Sequence, residues 1–177
     1  ALADGKSGVR GLLCRLTIWR VAPQWYAVAV GLPLIGTVAI IAVAAALGSP
    51  TATQLGTLSP LLFAIVYLFN AGEEIGWRGY LLPHLLPLGR LRALLLSGLL
   101  HGVWHLPLIL LTPFYHPGGN RVIVVGLFLL TLTAAGVLYG YLRLTSESVW
   151  PVGIAHGVYN AAWNLFSGLT VAGAAPL

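Results

Sequence analysis

Apolar residues run along this chain in long blocks, interrupted by short groups of Gly, Pro and charged residues. Residues 25–47 form an uncharged block opened by Trp25 and Tyr26, long enough to cross a hydrocarbon core of about 30 Å at about 1.5 Å per residue. Gly48, Ser49, Pro50 and the Thr-rich stretch after them read as a loop, and a second helix is predicted over 59–86. Unbroken it would measure roughly 42 Å, so it must tilt, kink or project beyond the bilayer. Gly72, Gly76, Gly79 and Pro83 offer places to bend. Further spans are predicted over 93–111, 122–144 and 149–171, giving five. Ahead of them, residues 1–24 set Lys6, Arg10, Arg15 and Arg20 among Leu12, Leu13, Leu16, Ile18 and Trp19. That is the pattern of a basic amphipathic helix on a membrane surface, with a solvated basic leader as the alternative.

Composition supports the same reading. With 58% hydrophobic and 7% charged residues over 177 positions and a mean hydropathy of +0.90, the chain lacks the polar surface to cover a soluble globule. The blocks recur along the whole length, so a cleaved secretory signal does not account for them. The expected fold is an all-α, polytopic membrane helix bundle: a surface segment over 1–24, then one transmembrane helical domain over 25–177. The net charge of +5 comes from scattered basic residues beside apolar blocks, which read as topology signals rather than a nucleic-acid surface. Placing the N-terminal segment in the cytoplasm puts Arg90, Arg92 and Arg143 there too, with Arg121 the only basic loop residue outside. The expected location is the cell membrane, crossed several times.

Cys14 is the only cysteine, which excludes an internal disulfide or a Cys-rich metal site within this chain. Beside basic residues it suits palmitoylation, but a small buried or interfacial hydrophobe is the favoured reading. The chain contains no methionine, so its natural start is expected to precede this sequence, with room for earlier spans.

Only four residues are acidic, yet Glu73 and Glu74 fall near the middle of the second span, where a charge costs about 2.5 kcal/mol or more. Arg78 lies four residues after Glu74, on the same helix face and in the favourable acid-first order. Glu73 points about 100° away and shares that arginine less easily, which suits it to general-base work. A cluster that only fixes helix packing is the alternative. The third span carries His101 and His105 at the i,i+4 spacing of metal-ligand pairs, without the internal glutamate of HExxH, so the acid would come from another helix. The fifth span carries His156, Asn160 and Asn164 as a polar stripe, which could equally be interhelical glue. Counting inward from the cytoplasmic ends at about 1.5 Å per residue puts Glu73 and His105 roughly 20 Å deep, Asn160 roughly 15 Å and His156 roughly 9 Å, compatible depths for one enclosed site. These residue types suit hydrolysis: Glu73 with His105 can deprotonate water, while His156 and Asn160 can donate to an oxyanion. In a metal-assisted variant the histidines would be ligands.

Glu73-Glu74-Ile-Gly-Trp-Arg78 resembles the EExxxR motif of the CAAX prenyl protease and bacteriocin-processing (CPBP, Abi) family of intramembrane proteases. His101-Gly-Val-Trp-His105 resembles the family's FxxxH motif and His156-Gly-Val-Tyr-Asn160 its HxxxN motif, in the same order, over a motif-bearing core of 60–172. The resemblance implies that Glu73 and His105 activate water, that His156 and Asn160 stabilise the oxyanion, and that Glu74 and Arg78 support them. It also implies a membrane-associated peptide or protein substrate, with prenylated CAAX proteins in that class. His101 departs from the pattern, standing where the family usually has Phe. It can be a bystander, a supporting group or an extra metal ligand, and Asn164 is a further supporting residue. Metal use stays open, with a divalent ion, zinc first, and Glu73, His101, His105 and His156 as its candidate ligands. Two readings from other classes compete with the endopeptidase: an ion- or proton-coupled transporter, because acid and histidine chains inside spans also carry ions, and a non-catalytic immunity or scaffold protein. His84 and His116 near span ends, and Trp19, Trp25, Trp150 and Tyr115 in interfacial positions, need no functional role.

Overall fold

The computed structural model describes residues 5–47, 60–112 and 120–166, and the side chains of all of these except 60–66 and 164–166. Helix α1 (Gly5–Leu16) precedes α2 (Pro23–Ala46) and α3 (Pro60–Glu74); a π-helical stretch (Ile75–Leu81) then runs through α4 (Leu82–Leu85) into a 3-10 turn (Leu86–Leu88). The remainder is α5 (Arg90–Trp104), α6 (Leu106–Leu111), α7 (Arg121–Ser146) and α8 (Trp150–Phe166). No strand occurs among the described residues, and the chain is an all-α membrane helix bundle. Three stretches, Pro23–Ala46, Arg90–Leu111 and Arg121–Ser146, are long and apolar enough to cross a membrane. The other two expected spans are helical as well: α3 with its π continuation, and α8, whose expected end at 171 lies outside the described residues.

Two prolines explain where the helices depart from regularity. Pro83 has no N–H to offer the Gly79 carbonyl four residues earlier, and the π-helical stretch ends there. The Arg15 guanidinium donates to that carbonyl instead, which ties α1 to the bend. Pro107 likewise cannot bond the Val103 carbonyl, and the expected continuous helix over 93–111 is divided at His105, whose N–H turns back to Gly102 at 3.1 Å. Two further bonds latch α1 to the α7–α8 turn: Trp150 Nε1 donates to the Leu16 carbonyl at 2.9 Å, and Ser148 Oγ to that of Ile18. Glu147 takes a left-handed conformation (φ 57°) in that turn. Cys14 is exposed rather than buried, which leaves the interfacial alternative; α1 touches the bundle through Leu12 near Gly79.

Helices in lipid gain little from hydrophobicity against one another, so small residues that admit close backbone contact decide where they meet. Gly98 on α5 meets Gly136 on α7, flanked by Gly102 against Leu129 and Leu132 and by Gly140 against Leu94: a Cβ at Gly136 would lie 2.2 Å from the Gly98 Cα, and one at Gly98 2.7 Å from the Thr133 carbonyl oxygen. A third such pair, Gly153 and Gly157 on α8, faces Ala71 and Tyr67 of α3. Around these contacts, Leu82, Ala93 and Leu94 form one buried cluster and Ala29, Leu142, Val152 and Ala155 another. A leucine at Gly98 or Gly136 is expected to exceed the about 1–3 kcal/mol of ordinary overpacking, because backbone rather than a side chain stands in the way. Size-exclusion and thermal unfolding in detergent should show that loss, whereas Gly126→Leu, with nothing within 4 Å of its Cβ, should behave as wild type.

Candidate active site

Arg78 is fully buried on the π-helical stretch, among helices whose other faces are apolar. One guanidinium nitrogen serves two acceptors: Nη1 donates to Glu74 Oε1 at 2.9 Å and to His101 Nδ1 at 3.2 Å. The guanidinium carbon lies 5.4 Å from the Tyr139 ring centroid, within cation–π range. A Cβ at Gly136 would come to 3.4 Å of Nη2, so the glycine that brings α5 and α7 together also leaves room for the charge. Glu74 is fully buried too, and its Oε1 also meets His156 Nδ1 at 2.8 Å. Glu73, on the adjacent face, reaches Arg78 indirectly: its Oε2 lies 3.2 Å from His101 Nε2. The order Glu73, His101, Arg78, Glu74, His156 is therefore one unbroken chain of polar contacts linking α3, α5, the π-helical stretch and α8.

The contacts assign the imidazole protons. A guanidinium only donates, so His101 Nδ1 accepts and its Nε2 carries the hydrogen that goes to Glu73. His105 sits at the break in its helix with Nδ1 3.0 Å from the His101 carbonyl. That carbonyl accepts the Nδ1–H in place of the His105 backbone N–H, which bonds Gly102. The lone pair of His105 is thereby on Nε2. His156 donates Nδ1–H to Glu74. The three imidazoles are close, with the His101 centroid 5.0 Å from His105 and 5.9 Å from His156, although the depth count set His156 shallower than Glu73.

Asn160 donates from Nδ2 to Asn70 Oδ1 at 3.2 Å. Asn70 is buried, one turn before Glu74 on the same face, and belongs to none of the three motifs. An asparagine four residues ahead of a buried glutamate in an apolar span was the available signal. Tyr139, tilted against His156 with centroids 5.7 Å apart, and Trp77, stacked on His101 at 4.8 Å, are further neighbours that single-helix spacing does not reveal. The Asn164 side chain, like Tyr115 and His116, lies outside the described residues.

Glu73, His101 and His105 could hold a metal ion: one ligand atom from each lies within 4.8 Å of the others. His156, the fourth expected candidate, is not in this group and is turned to Glu74. As arranged, however, His101 fits a cation poorly. Its Nε2 carries the proton that Arg78 forces onto it, and a divalent ion there would face the fixed charge of the guanidinium. Glu73 and His105 have the right donors, but three-residue ligation requires breaking the His101–Arg78 contact.

Removing one member of a buried ion pair strands the other charge, at about 3–5 kcal/mol. Arg78→Met should lose stability of that order, read as a lowered thermal midpoint in detergent, and the Arg78→Met, Glu74→Gln double variant should recover part of it.

Residues 55–162, well over half of the chain, match the family described as Rce1-like type II CAAX prenyl endopeptidases. Neither curated proteins nor solved structures give a match. The matched stretch runs through Glu73, Glu74 and Arg78, then His101 and His105, and ends just beyond His156 and Asn160, so the chain belongs to the Rce1-like type II CAAX prenyl endopeptidase family.

Proposed function

We propose that this chain is a multi-pass cell-membrane endopeptidase hydrolysing a peptide bond of a membrane-associated protein or peptide near the cytoplasmic face, with prenylated C-terminal segments among its substrates. The observation that carries the reading is the enclosure of Glu73, His101 and His105 within 4.8 Å of one another, joined through Arg78 and Glu74 to the helix bearing His156 and Asn160. Glu73 takes one proton as the water oxygen attacks the carbonyl carbon, while the Nε2 lone pair of His105 accepts a hydrogen bond from the water's other hydrogen. The resulting oxyanion is met by Asn160 and by His156, which donates from Nε2 only as the doubly protonated ring, its charge facing Glu74. Collapse breaks the C–N bond, and the proton taken from water passes to the departing amine. Glu74 orients His156, Arg78 balances Glu74, and no step here is routed through a metal.

The topology supports a cytoplasmic site. Arg121 and Arg143 lie near opposite ends of α7. Arg15 and Arg90 gather at the Arg143 end, Arg90 over Tyr141 at 5.3 Å, so the basic residues crowd one face of the bundle as the positive-inside rule requires of the cytoplasmic side. A transporter needs a polar path continuing past the cluster. Among the described residues the contacts gather into one compact cluster from Glu73 to His156, which favours hydrolysis.

Purified protein should cleave prenylated CAAX peptides in detergent. Glu73→Gln and His105→Ala should each lower kcat by about 10²–10⁴-fold, the usual worth of general-base catalysis, and Asn160→Ala by about 10²–10³-fold, as for one oxyanion donor. Undiminished rates in Glu73→Gln would overturn the assignment.

A further inference from the structure

We infer that His101 is a positioning residue that holds the general base, acting as a hydrogen-bond donor and not as a metal ligand. The inference rests on the proposed role of Glu73 and deepens it. Three observations converge on the ring. It is buried, with 1% of its surface exposed. Its two nitrogens contact groups of opposite charge, Arg78 Nη1 at 3.2 Å through Nδ1 and Glu73 Oε2 at 3.2 Å through Nε2. Its face stacks on Trp77 at 4.8 Å with an interplanar angle of 29°.

Each contact constrains the next. Trp77 precedes Arg78 on the π-helical stretch, so stacking and the Nδ1 bond fix the imidazole against one segment. Arg78 has only hydrogens to give, which forces the proton onto Nε2. That proton can go only to an acceptor, and Glu73 Oε2 is the acceptor present. With Oε2 committed, Oε1 is left as the carboxylate oxygen to take a proton from water, in a fixed orientation relative to His105, which lies one turn after His101. His101 thereby transmits the position of a buried cation to a carboxylate that the cation does not touch. A ligand role would require Nε2 to lose its proton and Nδ1 to gain one facing the guanidinium, a like-polarity contact at 3.2 Å.

Glutamine and asparagine separate the two nitrogens. In His101→Gln the side-chain amide reaches the Nε2 position and can donate to Glu73; in His101→Asn it stops near the Nδ1 position and can only accept from Arg78. His101→Phe keeps the stack on Trp77 and removes both nitrogens. With prenylated peptide substrate and each variant checked for a wild-type thermal midpoint, His101→Gln should stay within about tenfold of the wild-type kcat, while His101→Asn and His101→Phe fall by about 10²-fold at unchanged KM, the scale of a misplaced catalytic group. Zinc measured on the same samples should not track activity. Equal losses in the Gln and Asn variants, or wild-type activity in Asn, would overturn the inference. Parallel loss of stoichiometric zinc and activity in all three would make His101 a ligand instead. Should wild type cleave nothing while remaining folded, the endopeptidase reading itself fails. In that case a 15N spectrum of the His101 ring still decides this one, because a proton on Nδ1 rather than Nε2 contradicts it.

Discussion

Everything distinctive in this bundle follows from burying one guanidinium in a membrane protein. An unpaired charge at such depth is costly, and Arg78 is fully buried, so its surroundings must compensate. Glu74 supplies the opposite charge one helical turn away at 2.9 Å, Tyr139 a ring face and His101 a second acceptor. Space is as necessary as charge. The α5–α7 contact is close because Gly98 and Gly136 lack side chains, and the same absence at Gly136 makes room beside Nη2. Packing and electrostatics are thus satisfied at one point, and the groups that neutralise Arg78 are those that orient the proposed base and the imidazole of α8.

The helix breaks belong to the same design. A regular helix through 75–81 would space Glu74, Arg78 and the carbonyl of Gly79 uniformly. The π-helical stretch and Pro83 instead release that carbonyl to Arg15, so the surface helix α1 is fastened to the segment that bears the buried charge. At the second break, Pro107 ends α5 after Trp104 and the His105 N–H moves to Gly102. The His101 carbonyl then receives the His105 side chain, fixing its tautomer. At the first break the carbonyl that Pro83 leaves open takes a side chain directly; at the second the displaced His105 N–H leaves the His101 carbonyl to the His105 imidazole.

Much of this was legible in the sequence. Apolar block length is a strong signal, and α2 and α7 begin and end within about two residues of their predicted limits, within the ordinary uncertainty of helix boundaries. The paired glutamates, Arg78 and the three histidines stood out because ionisable groups are rare in apolar spans. The division at His105 was less visible, since hydropathy does not register a lost hydrogen bond, although Pro107 marked it. The glycine pairs at 98 and 102, 136 and 140, and 153 and 157 are visible as small residues four apart, but spacing alone does not separate a close helix contact from a bending point. Asn70, Tyr139 and Trp77 could not be assigned from spacing within one helix, because their relevance comes from what packs opposite. The link from Glu73 to Arg78 through a histidine of another helix is of that kind as well: single-helix geometry correctly separates the two, and only tertiary packing reconnects them.

One polar chain, ordered by Arg78, fixes the protonation pattern of three imidazoles. The direct measurement is 15N NMR of histidine-labelled protein in detergent or bilayers, with His101, His105 and His156 assigned by substitution. The expected result is hydrogen on Nε2 of His101 and on Nδ1 of both His105 and His156, with the His101 pattern abolished when Arg78 is replaced. A His101 ring protonated on Nδ1, or one whose tautomer is indifferent to Arg78, would contradict it.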